Sequence, residues 1–297
     1  LNTLRYELMH KWNLDDFEFS ESYLFFYDKL EKSNFYLENV LKTLDKTTDS
    51  RIFEAVNEGP ADDGGWWQMF VALVKKYGLV PKEAYPESSN SRDSSAFEQY
   101  LNTKLREFAA ELRDAHQAGK SVEELRSLKT GQMSVVYRIC AIAMGEPPAS
   151  FDLLLRVKDE GKDDAKASES GTKSGIDSRR QIVEHGITPQ EFYAKYVGED
   201  LDDFVSLTNS PLASTPYYRR YQLAFVGNVA EAAPMDFINV PLDVFRKAAV
   251  DQLTAGHPIW FACDCAQFSL RKAGIFDRGT VRVDELFGTE FASDKAH

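Results

Sequence analysis

A change of texture along the chain limits its possible folds more than any other feature. Up to about residue 145 the apolar residues recur at helical spacing between marked caps. From Tyr217 onward they gather into short strand-like runs, YQLAFVGNV and HPIWFACD, separated by a helical LDVFRKAAVDQL. Helices first, then mixed strand and helix, predict an α+β fold rather than a regular parallel α/β sheet. No repeat at a fixed period interrupts this progression.

The helical part is well punctuated. LNTLRYELMHK carries Leu1, Leu4 and Leu8 on one face but has no capping residue before it, so it reads as a helix entered in mid-course. Ser20 is placed to cap ESYLFFYDKLEKSN, in which Leu24, Tyr27 and Leu30 share a face. Asp63 is placed to cap the next helix, whose stripe is Trp67, Phe70, Val71 and Val74. Lys75 and Lys76 occupy its last turn, Gly78 suits the position past its end, and Pro81 stops it. Leu101, Leu105, Phe108 and Leu112 mark a further helix before Gly119, and Ser121 with Glu124 forms a capping box. A helix from about Met133 ends at Gly145, ahead of Pro147 and Pro148. Thr188, Pro189 and Glu191 mark another helix start. Between these, Lys158 to Arg180 is so rich in charge, Ser and Gly that it reads as a flexible exposed loop.

Composition narrows the function. With 297 residues and 43% hydrophobic content the chain has material for a large core, and a protein near this length hides roughly 75% of its unfolded surface. No apolar run approaches the ~20 residues of a membrane helix, and no leader pattern precedes Leu1. A net charge of −12 argues against nucleic-acid binding, which needs clustered cations. Three cysteines, Cys140, Cys263 and Cys265, are few and odd in number; they suit a reducing, cytoplasmic setting without a disulfide framework.

Several stretches in order carry a family resemblance: EFSESYLFFYDKLEKSN, DGGWW, KYGLVPKEAYPES, TPQEFYAKYVG, GNVAE and GHPIWFACD. Together they resemble the bleomycin hydrolase/aminopeptidase C group of papain-like cysteine peptidases. Lys158 to Arg180 departs from that pattern as an added surface segment. The resemblance implies a papain-like core with a large, mainly helical insertion. It divides the chain into a helical half of the core (1–89), the insertion (90–215) and the start of the β-rich half (216–297). It further implies a cofactor-free thiol aminopeptidase acting on peptides, a hexameric ring with inward-facing sites, and a C-terminal tail limiting cleavage to amino termini.

The catalytic groups implied by the resemblance fall outside the chain. The family's nucleophile lies about one and a half turns before Leu1 on the same helix, where a helix N-terminus favours the thiolate. Its histidine and asparagine lie after His297, which sits in KAH rather than in the family's Thr-His-Ala stretch. Within the chain the resemblance marks Asp63, Gly64, Gly65 and Ala262 as substrate-binding positions. Glycines without Cβ let a backbone approach an extended peptide; by themselves they equally describe a tight turn before a helix. Asp63 reads as a helix cap before it reads as a ligand, and Ala262 matches a strand position lining the second specificity subsite.

Other reactive side chains have plainer readings. Cys263 and Cys265 share a strand face but lack zinc spacing and further ligands, so they read as buried small apolar residues. His10, His116, His185 and His257 have no nucleophile at a recognisable spacing. Phe25 to Tyr27 and Trp66-Trp67 read as packing residues, since no basic residues interleave them. The competing expectation is a truncated, non-catalytic scaffold that binds peptide or sister subunits.

Overall fold

Ser20 begins the helix that organises the protein. Its backbone is extended and its hydroxyl accepts a hydrogen bond from the Tyr23 N–H at 3.0 Å, satisfying one of the helix's unpaired first-turn donors. The helix that follows, α2, runs Glu21–Lys42, well beyond the segment the sequence marked. In a computed structural model describing residues 1–158, 180–263, 269–277, 279 and 282–290, α2 separates two hydrophobic cores. One takes Leu24 together with Leu4 and Leu8 of α1 (Asn2–Trp12) and Val74 of α4 (Trp67–Tyr77). The other takes Phe26, Leu37 and Val40 from α2 together with α3 (Arg51–Asn57) and the insertion helices. From Ser22 to Leu41 no residue of α2 is exposed.

The insertion is built on two long helices. After the single turn α5 (Ser89–Arg92), α6 (Ser95–Gln117) buries Leu101, Leu105, Phe108 and Leu112 as its stripe requires. Past Gly119, at φ +80°, α7 runs unbroken over Val122–Met144 from the Ser121/Glu124 capping box. The start expected near Met133 is therefore interior to α7. Gly131 does not break the helix, because burial of Leu125, Val136 and Cys140 on one face outweighs its weak propensity.

A β-hairpin follows that sequence periodicity did not identify. Strand β1 (Phe151–Arg156) alternates buried and exposed residues and pairs antiparallel with β2 (Gln181–Ile187). The segment expected to be a flexible loop lies almost wholly outside the described residues. Thr188 and Glu191 form their capping box on α8 (Pro189–Phe192), which passes into a π-helical turn, Tyr193–Val197.

Helix α4 ends against this segment. Gly78 stands at φ 72°, ψ −158°, and a Cβ there would lie 2.3 Å from the Pro189 backbone. A three-stranded sheet then places β5 (Asp236–Asn239) between β3 (Leu207–Thr208), parallel to it, and β4 (Arg219–Gln222), antiparallel to it. Only the start of YQLAFVGNV is strand; Phe225 turns at φ 59°. Helix α9 (Leu242–Thr254) follows as its periodicity predicts.

Residues 1–258 form one compact unit and 259–297 a second. The described part of the second holds the hairpin of β6 (Ser269–Leu270) and β7 (Ile275–Phe276), and the short helix α10 (Val283–Phe287). The HPIWFACD run is not a strand over residues 257–263, which carry no regular structure. Its apolar residues Trp260 and Phe261 are exposed, so the burial that would favour an extended ladder is missing.

Candidate functional site

The loop before α4 borders a cleft of about 320 Å³, lined by Gly64, Gly65 and Trp66 together with Tyr36 of α2 and Phe225 to Gly227. Two lysines one turn apart on α2 shape this loop from inside. The Lys29 ammonium, fully buried, donates to the Ala61 carbonyl at 2.6 Å and pairs with Asp63 at 2.6 Å and with Glu98 of α6. Lys32 donates to the carbonyls of Asp62 at 2.8 Å and Gly64 at 2.6 Å, and pairs with Asp28 at 2.7 Å. Asn102 of α6 completes the frame by accepting from the Ala61 N–H and donating to Asp62.

Asp63 does not cap α4. The cap position belongs to Trp66, which has no side-chain capping bond. The Asp63 carboxylate instead meets Lys29 on one oxygen and accepts from the Ser94 hydroxyl at 2.6 Å on the other. A charge-assisted bond to a buried ammonium is stronger than a cap. Burial acts to raise the Asp63 carboxyl, but Lys29 and Ser94 outweigh it and hold the group below its ordinary range. Glu98 shares the same ammonium and is raised, by burial first and then by Asp63 beside it.

The two glycines differ in what they do for the chain. Gly64 has φ +92°, a conformation costly for any residue with a Cβ. Gly65 is outside that region, and a Cβ there would meet only the Met69 side chain, at 3.4 Å from Sδ and 3.9 Å from Cβ. Neither its own conformation nor its packing calls for glycine. It is exposed, and among the described residues no hydrogen bond uses its N–H or its carbonyl. Chemically this is a free backbone N–H and carbonyl in a loop beside a cleft, open to pairing with an extended chain.

The remaining candidates lie elsewhere. Ala262 is exposed in the second unit, in a segment without regular structure. Cys263 is exposed rather than buried, because the strand expected to bury it does not form. Asp264, Cys265 and His297 lie outside the described residues. Cys140 is fully buried in the second core, and burial pushes its thiol up to about 12, so it stays protonated and unreactive. His257 Nδ1 lies 2.9 Å from Glu7 of α1 and His185 Nδ1 lies 3.3 Å from Asp152, and both histidines are exposed. Among the described residues no cluster of His, Cys, Asp and Glu is arranged for a metal ion, and no helix is long and apolar enough to cross a membrane. Sequence reading missed Lys29 and Lys32, whose signal was charge at i and i+3 inside an aromatic-rich helix.

The architecture is a papain-like α+β fold with a large helical insertion. The Peptidase C1-like family matches residues 1–173 and 175–297, and the chain belongs to it. It is 37% identical over 296 residues to aminopeptidase C of Lactobacillus delbrueckii subsp. lactis, covering 100% of this chain and 62% of that protein. It is also 37% identical over 297 residues to aminopeptidase E of Lactobacillus helveticus, covering 100% of this chain and 63% of that protein. A crystal structure of PepW from Lactobacillus rhamnosis superposes with a TM-score of 0.89 at 37% identity, covering 98% of this chain and 61% of the other. The chain thus spans 62% to 63% of the length of these curated relatives.

Proposed function

We propose that this chain supplies the scaffold and one substrate-binding edge of a cysteine-type aminopeptidase acting in the cytoplasm. Its relatives named aminopeptidase C support the class of reaction. The observation that carries the site is the unbonded, exposed backbone of Gly65 beside the cleft. In this reading Gly64 and Gly65 receive an extended peptide and Asp63 braces their loop; Ala262, in the second unit, is the remaining proposed substrate-binding position. The nucleophile and base of this reading are the ones the family resemblance implies in flanking sequence; Cys140, buried and protonated, does not serve as the nucleophile. Thiolate attack on the first peptide carbonyl releases the shortened peptide as its protonated amine and leaves an acyl-enzyme, which water hydrolyses. A homohexamer with enclosed sites is the proposed assembly, read by light scattering of the full-length protein.

The test is the full-length gene product. It should release N-terminal residues from aminoacyl fluorogenic substrates, lose that activity to iodoacetamide, and carry Cys-Trp and Thr-His-Ala stretches on the two sides of this segment. Absence of thiol-dependent release, with those stretches substituted, refutes the peptidase and leaves a non-catalytic peptide-binding scaffold.

A further inference from the structure

We propose that Lys32, seconded by Lys29, is a positioning residue that fixes the register in which a bound peptide pairs with the glycine loop. The inference rests on the reading that this loop receives a peptide, and goes beyond it by naming what sets the alignment. An ammonium has three N–H donors and no acceptor. Lys32 directs its three at Asp28, the Asp62 carbonyl and the Gly64 carbonyl. Lys29 directs its three at the Ala61 carbonyl, Asp63 and Glu98. The carbonyls of residues 61, 62 and 64 are thereby turned inward. Among the described residues the Asp63 backbone stays unbonded too, but its carboxylate is tied to Lys29 and Ser94; of the glycine pair, Gly65 alone keeps both its N–H and its carbonyl free.

Burying an ammonium is costly unless it is paired and bonded, so these lysines hold their places only while the loop keeps this shape. The consequence for a ligand is selective. With the Gly64 carbonyl engaged, an extended peptide finds its partner at Gly65 and nowhere one step earlier. Freeing that carbonyl adds a second acceptor and permits a slipped pairing. A slip of one residue turns every side chain of a strand to the opposite face. Lys32 therefore acts on which peptide side chain enters the cleft, through backbone it holds rather than through contact with the peptide. Glu98, on α6, ties the insertion to the same loop.

The test uses the 297-residue chain labelled with 15N-glycine, which has 17 glycines and a simple amide spectrum. Tetra-alanine is titrated into it. In the wild-type chain the Gly65 amide should shift and saturate while Gly64 stays nearly still. In Lys32→Met the affinity should fall about tenfold, as loss of a charge-assisted bond entails, and Gly64 should move with Gly65. Lys32→Arg keeps the donors and should stay within about threefold of wild type. Unchanged affinity and an unchanged shift pattern in Lys32→Met overturn the inference alone. A wild-type chain with no Gly65 shift overturns the peptide-edge reading and the inference with it. Should Lys32→Met fail to fold, Lys32→Arg decides: a folded Arg variant in which Gly64 shifts like Gly65 refutes the role of Lys32 in register.

Discussion

Replacing Gly78 with Ala probes the glycine that, among the described residues, lies tightest against another stretch of backbone. Gly78 ends α4 at φ 72°, ψ −158°, a region that only glycine occupies comfortably. Its N–H donates to the Val74 carbonyl at 2.7 Å, and the Leu79 N–H donates to the Pro189 carbonyl at 3.2 Å. A Cβ at 78 would sit 2.3 Å from the Pro189 carbonyl carbon and oxygen and 2.5 Å from the Gln190 nitrogen. These are backbone atoms and cannot rotate aside as a side chain would. Two costs then add: about 1–3 kcal/mol for the strained backbone and about 1–3 kcal/mol for overpacking, so about 2–6 kcal/mol in all. That is a large part of the ~5–15 kcal/mol by which domains are stable. Gly145 supplies the control. It has nearly the same backbone, φ 86°, ψ 169°, with nothing within 4 Å of its Cβ position. Gly145→Ala should therefore carry only the strain, about 1–3 kcal/mol. Urea denaturation followed by circular dichroism measures both variants. If they lose equal stability, the contact with Pro189 contributes nothing and the argument from close approach is wrong.

Two further outcomes follow from titratable groups. Glu38 is held below its ordinary value of 4.5: burial acts to raise it, but Lys129 and Arg126 outweigh that effect. A carboxyl depressed in the folded state contributes stability above its unfolded pKa and loses it as pH falls through the folded one. Glu38→Gln should cost about 1–2 kcal/mol at pH 7, with the gap to wild type closing as pH drops below 4.5, in urea midpoints taken across that range; a gap independent of pH contradicts the ion pair. Cys140, with its thiol pushed up to about 12, should resist alkylation at pH 8 in the folded chain and react once the chain is unfolded, as mass mapping of alkylated peptides will show. Rapid labelling of the native protein at Cys140 would contradict its burial.

The parts legible in sequence were those settled locally. Ser20, Ser121 and Thr188 cap helices because each bonds a backbone N–H three residues away, a relation fixed by spacing alone. Hairpin β1–β2 was not legible, since its strands are separated by a long charged segment and only β1 alternates cleanly. Asp63 shows how a distant partner defeats a local rule. The sequence places it as a cap, but α4 starts only at Trp67, and Lys29, far back in sequence, takes its carboxylate instead. The site was half legible. The glycine pair stood out, whereas the lysines that shape it looked like ordinary helix charges until α2 proved to have no outer face.

That last property sets how the sequence is free to drift. Most helices present one side to water, where replacement is nearly neutral, but α2 between Ser22 and Leu41 has none. Its positions answer to one of the two cores, to the lysine frame of the glycine loop, or to polar partners on other elements, as Ser22, Glu31 and Glu38 do. A change in the insertion helices that asks α2 to shift would be felt at the opposite core and at the cleft edge. The insertion is therefore not a detachable ornament on an older scaffold: its helices and the glycine loop must change in concert, through a shared helix that tolerates little change of its own.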